Sequence, residues 1–251
     1  QKKKKTTEFN TLRAHSGAVG SNSTDVLLFG GYDHSAPDAT VNTESWNGSA
    51  WTEVNNLANK RYNIDGAGTT TLAVTAGGNT HPYGYTGVTE EWTFSGIDPS
   101  TTPAADYADA IVGDFYYNST TGQFKTVNDG GAPIGTWASG GSLNQDRAYG
   151  GGSGTNTSAV TFGGYTPGAS YVGNTETYDG TTFTEVADMN TGKGGFGYAG
   201  SSQSNAMAFS GTPPPSGYSL TSETWNGTSW TETAEVNEGR YFGAGAGTNT
   251  A

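Results

Sequence analysis

The sequence predicts an all-β protein, a β-propeller of four-stranded blades. Three observations carry that prediction. Glycine takes 40 of the 251 positions while only 14% of residues are charged. A unit marked by a basic residue recurs along most of the chain. Each unit divides into four strand-sized segments separated by turn residues. Each glycine costs a helix interior ~1 kcal/mol relative to alanine, so a chain this rich in it disfavours long helices. The glycines keep no three-residue period, which excludes collagen. The 6 Trp, 14 Tyr and 10 Phe supply more apolar bulk than a disordered chain carries. With no cysteine, disulfide frameworks, thiolate metal sites and cysteine nucleophiles are excluded.

Residues 1–8 form a basic tail containing Lys2, Lys3, Lys4 and Lys5. The remaining seven basic residues face 23 acidic ones, and an acidic body repels phosphate backbones, so nucleic acid is not an expected partner. Membrane insertion is not expected either. The longest apolar run, Val26-Leu27-Leu28-Phe29, is the size of a strand, far from the ~18 residues a spanning helix needs.

Propeller blades are expected over 9–96 and again over 137–251. The repeat is anchored by Arg13, Arg61, Arg147, Lys193 and Arg240, at steps of 48, 86, 46 and 47 residues. Four residues before each stands an apolar side chain: Phe9, Leu57, Leu143, Met189 and Val236. Seven residues after each stands a glycine, from Gly20 to Gly247, on a Gly-rich first strand. The second strand, such as Asp25 to Phe29, ends at a glycine doublet that recurs at 30–31, 77–78 and 163–164 and decays to Ser210-Gly211. The third carries a glutamate two residues before an aromatic, on one strand face: Glu44 and Trp46, Glu90 and Trp92, Glu176 and Tyr178, Glu223 and Trp225. Asn47-Gly48, Asp179-Gly180 and Asn226-Gly227 then read as two-residue hairpin turns into a fourth strand. That strand opens on Trp51, Trp137, Phe183 or Trp230.

The 86-residue step marks an insertion. Trp46 and Trp51 are 5 residues apart, but Trp92 and Trp137 are 45 apart, which places an inserted β-hairpin module at 97–136, in the turn between the third and fourth strands. Within it, 100–105 reads as a linker, Ala108 to Val112 as a short helical turn, and Asp114 to Lys125 as strand, turn, strand. Residues 9–13 match the end of a unit, and the unit opened by Arg240 stops before its doublet. The expectation is therefore at least five blades, the last incomplete, in a segment of a longer polypeptide.

These features together resemble the kelch-repeat propellers, across nearly the whole chain outside the tail and insertion. Ser210 in the fourth doublet and Phe183 in place of Trp are departures. The resemblance implies that each repeat glutamate buries beside its aromatic and pairs with a repeat basic residue. Copper-radical oxidases among kelch relatives need a Cys cross-linked to Tyr, which a chain without cysteine cannot form.

Catalytic patterns are sparse. His15, His34 and His81 share no metal-ligand spacing. There is no Gly-x-Ser-x-Gly elbow and no phosphate loop. Gly195 to Gly200 spells Gly-x-Gly-x-x-Gly but sits on a repeat strand with no helix after it. Asp106, Asp109 and Asp114 cluster in the insertion, and no spacing fixes an acid partner for them. Neither enzyme activity nor cofactor nor metal is expected. Candidate ligand-binding residues are the insertion aromatics Phe115, Tyr116, Tyr117 and Phe124, with Tyr83 and Tyr85 in a loop; a packing role inside the insertion is the alternative.

Trp-Asn-Gly-x-x-Trp-Thr-Glu units and the inserted run from Gly113 to Lys125 look like those of tail-fibre or capsid-decorating proteins of marine bacteriophages. This resemblance implies a non-enzymatic virion structural or adhesion protein at the particle surface. Its expected partners are other virion proteins in an oligomeric assembly, and a host-surface glycan stacked on aromatics. The alternative is a secreted carbohydrate-binding or carbohydrate-active propeller. An intracellular kelch adaptor would carry a helical partner-binding domain, and no such segment is legible here.

Overall fold

The computed structural model describes residues 9–82, 84–97, 115–118, 123–126, 133–168, 170–213, 215 and 217–247. These residues contain no helix; they form four antiparallel four-stranded sheets arranged as the blades of a propeller. Blade one comprises Gly17–Asn22, Asp25–Phe29, Thr43–Trp46 and Trp51–Val54. Blade two comprises Asp65–Gly68, Leu72–Ala76, Thr89–Ile97 and Pro133–Ser139. Blade three comprises Gly151–Thr155, Ser158–Phe162, Thr175–Tyr178 and Phe183–Glu185, and blade four Gly197–Ser202, Asn205–Phe209, Ser222–Trp225 and Trp230–Thr233.

In every blade the aromatic of the third strand lies opposite the aromatic that opens the fourth: Trp46 on Trp51, Trp92 on Trp137, Tyr178 on Phe183, Trp225 on Trp230. Blade two keeps this pairing although the insertion separates its partners. The paired strands continue to Ile97 and from Pro133, and a separate hairpin joins Phe115–Asn118 to Gln123–Thr126. The basic tail, the linker at 100–105 and the helical turn expected at 108–112 lie outside the described residues.

The expected two-residue turns are four-residue loops instead. Only the glycine takes positive φ, at 87° in Gly48, 94° in Gly180 and 93° in Gly227. The preceding Asn or Asp accepts two backbone N–H groups with its side chain, as Asn47 does from Ser49 and Ala50. That side-chain acceptor closes the loop without a second left-handed residue.

Glycine doublets join the blades. Gly31, Gly78, Gly164 and Gly211 each donate their N–H to the carbonyl of the next repeat's basic residue, at 2.8–2.9 Å. Their φ values of 89–116° are open to glycine without strain. Between the blades pack three apolar clusters, of which the largest holds Phe162, Phe196, Met189, Trp225 and Trp230 between blades three and four.

Beside these clusters lies a row of buried ion pairs. Arg13 meets Glu44 at 2.6 Å, Arg61 meets Glu90 at 3.0 Å, Arg147 meets Glu176 at 3.0 Å, and Lys193 meets Glu223 at 3.7 Å. The glutamates also accept backbone N–H groups from the segment that enters their blade: Asn10 to Glu44, Ala58 to Glu90, Asn144 to Glu176, Asn190 to Glu223. Each carboxylate thereby ties its blade to the segment that leads into it. The repeat Trp residues are held too, with Trp46, Trp92 and Trp225 donating Nε1–H to Ser23, Thr70 and Gln203 carbonyls.

Candidate functional site

The first strands of the blades run side by side around an axial channel. Toward their ends it opens into a cavity of about 710 Å³ lined by small residues such as Ala18, Gly66, Gly152 and Gly200, with Gly245 beside them. Toward their starts lies a smaller hollow of about 380 Å³, reached by His15, Asn63, Asp65, Tyr149 and Phe242. Two residues after each repeat basic residue the backbone turns left-handed: His15, Asn63, Tyr149, Gly195 and Phe242 have φ of 50–62°. This places a side chain from each of four repeats around the axis.

Asp65 lies in this smaller hollow. Burial pushes its carboxyl up to about 8, against the pull of the Arg147 charge and of the Gly150 N–H. Below 3.8 the group is protonated in folded and unfolded chains alike and costs nothing. Between 3.8 and about 8 only the folded chain holds the proton, so stability falls as pH rises through that window and levels off above it. Asp65→Asn is expected to flatten this slope and to raise the melting temperature at alkaline pH. Thermal denaturation of both proteins from acid to alkaline pH measures it; identical slopes would contradict the assignment.

The most distinctive surface feature adjoins the start of these strands. A hollow of about 600 Å³ is lined by Tyr85, Tyr149, Tyr165, Tyr171 and Tyr241, with Ser170 and Pro215. Short ribbons that follow the glycine doublets position most of these rings: Asn79–Thr80 pairs with Gly84–Tyr85, and Tyr165–Thr166 with Ser170–Tyr171. Tyr165 packs edge-on against Tyr171 at 4.9 Å, and Tyr85 lies 5.9 Å from Tyr165. Tyr149 and Tyr241 both contact Phe242, at 5.8 and 4.0 Å. All five tyrosines are half-buried, so each keeps a face or an edge open.

No charged side chain is among the described residues lining this hollow. Burial, reinforced by the neighbouring hydroxyls, pushes Tyr149 up to about 12 and also raises Tyr85 and Tyr241. Those hydroxyls stay protonated well beyond neutral pH. The Tyr171 hydroxyl helps raise Tyr241, while Asn79 works against the rise at Tyr85. The arrangement offers rings for stacking and hydroxyls for hydrogen bonds, with no formal charge. No protein-family model matches the chain, and no curated protein matches it.

Of the residues singled out from sequence, Tyr85 lines this hollow. Phe115, Tyr116 and Tyr117 lie on one strand of the inserted hairpin and Phe124 on the other, with Tyr117 opposite Phe124. Tyr83 lies outside the described residues. Sequence reasoning missed Tyr149, Tyr165, Tyr171 and Tyr241. Repeat register contained a usable signal: Tyr165 directly follows a doublet, while Tyr149 and Tyr241 follow a repeat basic residue by two and by one. Of the three histidines, His34 and His81 both pack against Tyr32, at 5.1 and 6.0 Å. His81 faces Asp38 at 3.4 Å on blade one, and no group of three metal-ligating side chains occurs among the described residues.

Proposed function

We propose that the chain is a non-enzymatic, kelch-like virion surface protein, a tail-fibre or capsid-decorating component. In this reading its propeller serves attachment, and the tyrosine-lined hollow takes an uncharged host-surface glycan. The observation that carries the binding part is the hollow itself: five tyrosine rings around about 600 Å³ with no carboxylate among the described lining residues. Aromatic rings stack on the apolar faces of sugar rings, and hydroxyls accept and donate to sugar hydroxyls. Acid–base cleavage of a glycosidic bond would need a pair of carboxyl groups flanking the ligand. The virion part rests on the resemblance of the Trp-Asn-Gly-x-x-Trp-Thr-Glu units and the inserted run.

Two measurements test the two parts separately. Mass spectrometry of purified, nuclease-treated particles from the source is expected to find these peptides at stoichiometric level. Their presence only in the soluble or secreted fraction would favour the alternative, a secreted carbohydrate-binding propeller. Because no charged side chain is among the described lining residues, glycan affinity is expected to stay constant between about pH 6 and 9. A bell-shaped or stepped profile there would point to a charged site instead.

A further inference from the structure

The tyrosine-lined hollow is one end of a longer row of rings. In four successive repeats the residue after the basic anchor exchanges two backbone hydrogen bonds with the residue after the glycine doublet. The pairs are Ala14 with Tyr32, Tyr62 with Asn79, Ala148 with Tyr165 and Gly194 with Thr212, all at 2.7–3.1 Å. Each of the first three bridges holds one tyrosine, and the fourth holds none. Tyr32 is the register counterpart of Tyr165, which lines the hollow. At the second bridge Asn79 takes that position, and Tyr62 supplies the ring from the other side.

Tyr62 joins the two groups. Its ring lies 5.3 Å from Tyr32, and its hydroxyl adds to the burial that raises Tyr85 and Tyr149 in the hollow. The surroundings of Tyr32 hold it in place. His34 lies edge-on to it at 5.1 Å, and His81 lies at 6.0 Å. Tyr32–Asp33 pairs with Asp38–Ala39 in a short ribbon, and Asp38 is met by Lys60 at 2.6 Å and by His81 at 3.4 Å. Asp33 accepts hydrogen bonds from Ser35 and Ala36. Asp33, Asp38 and Lys60 therefore find partners within this face. Tyr32 and Tyr62 are half-buried, each with part of its ring open. A ring already fixed by its neighbours loses little freedom when a ligand stacks on it.

We propose that Tyr32 and Tyr62 form a second stacking position on the same face. The ligand is then a linear, uncharged oligosaccharide long enough to occupy both this position and the tyrosine-lined hollow. This rests on the glycan reading of that hollow and adds the form of the substrate. Continuity of the rings through Tyr62 selects an extended chain, whose successive sugar faces meet successive rings. A compact ligand would fill the hollow alone. Once one unit is held in the hollow, contact with Tyr32 is intramolecular, so affinity rises with chain length until both positions are filled and then levels off.

An array of linear, neutral oligosaccharides, each series graded from disaccharide to octasaccharide, is the probe for the full chain, followed by calorimetric titration of the series that binds. Affinity is expected to rise about tenfold or more along that series before levelling off. Tyr32→Ala is expected to remove most of the gain while leaving the shortest binding member unaffected, which also shows that the variant is folded. Tyr165→Ala is expected to weaken every member. Affinity that depends on Tyr165 but neither on length nor on Tyr32 would overturn the second position and leave the hollow as a site for short sugars. Equal weakening of short and long members by Tyr32→Ala would mark a structural role and overturn it too. No binding, or binding indifferent to Tyr165, would overturn the glycan reading and this inference with it.

Discussion

Arg61→Ala is expected to destabilise the protein by about 3–5 kcal/mol, because it leaves the fully buried Glu90 carboxylate without its cation. The Arg61 guanidinium is fully buried, donates to Glu90 at 3.0 Å, and also reaches the Gly77 and Val88 carbonyls. Its burial is strong enough to pull its own proton affinity down to about 10 despite the adjacent carboxylate. For a chain of this size the loss corresponds to roughly 10 °C in melting temperature. A second ion pair supplies the control. Lys60 contacts Asp38 at 2.6 Å, but both side chains are substantially exposed. Lys60→Ala is expected to change stability by less than about 1 kcal/mol. Comparable losses in the two variants, read by chemical denaturation, would show that burial of the pair is not what matters.

Phe162→Ala is expected to cost about 3–5 kcal/mol, the range for emptying a well-packed aromatic site. Phe162 is fully buried, lies edge-on to Trp230 at 4.8 Å and stacks with Phe196 at 5.8 Å. Close neighbours limit collapse of the cavity, since Gly151 lies hard against the same rings. Phe209 occupies the equivalent position one blade later but is half-buried and borders a hollow of about 620 Å³. Phe209→Ala is expected to cost less than half as much, because part of that ring is already in water. Equal losses would mean that the face of blade four is covered in solution.

Much of the architecture is legible because each repeated residue has one local job. The doublets announce positive φ, the spaced aromatics announce facing strands, and a 45-residue gap between Trp92 and Trp137 announces that one hairpin had been opened. Turn geometry was less legible: Asn-Gly suits a two-residue turn, but the Asn47 side chain bonds two backbone N–H groups and favours a longer loop. The candidate site was largely hidden for a different reason. Its rings come from two ribbons and two entry segments that span more than 150 residues, so Tyr85 and Tyr241 come to line one hollow only when the blades close around the axis. Asp65 was equally silent, since its perturbed carboxyl arises from burial between blades two and three and not from any sequence neighbour.

The most direct test of the account is glycan binding at the tyrosine-lined hollow. Calorimetric titration of the chain with uncharged oligosaccharides is expected to show saturable binding without shortening of the sugar. Tyr165→Ala and Tyr171→Ala are each expected to weaken it about tenfold while leaving the melting temperature nearly unchanged. Absence of binding, affinity indifferent to both substitutions, or cleavage of the oligosaccharide would contradict it.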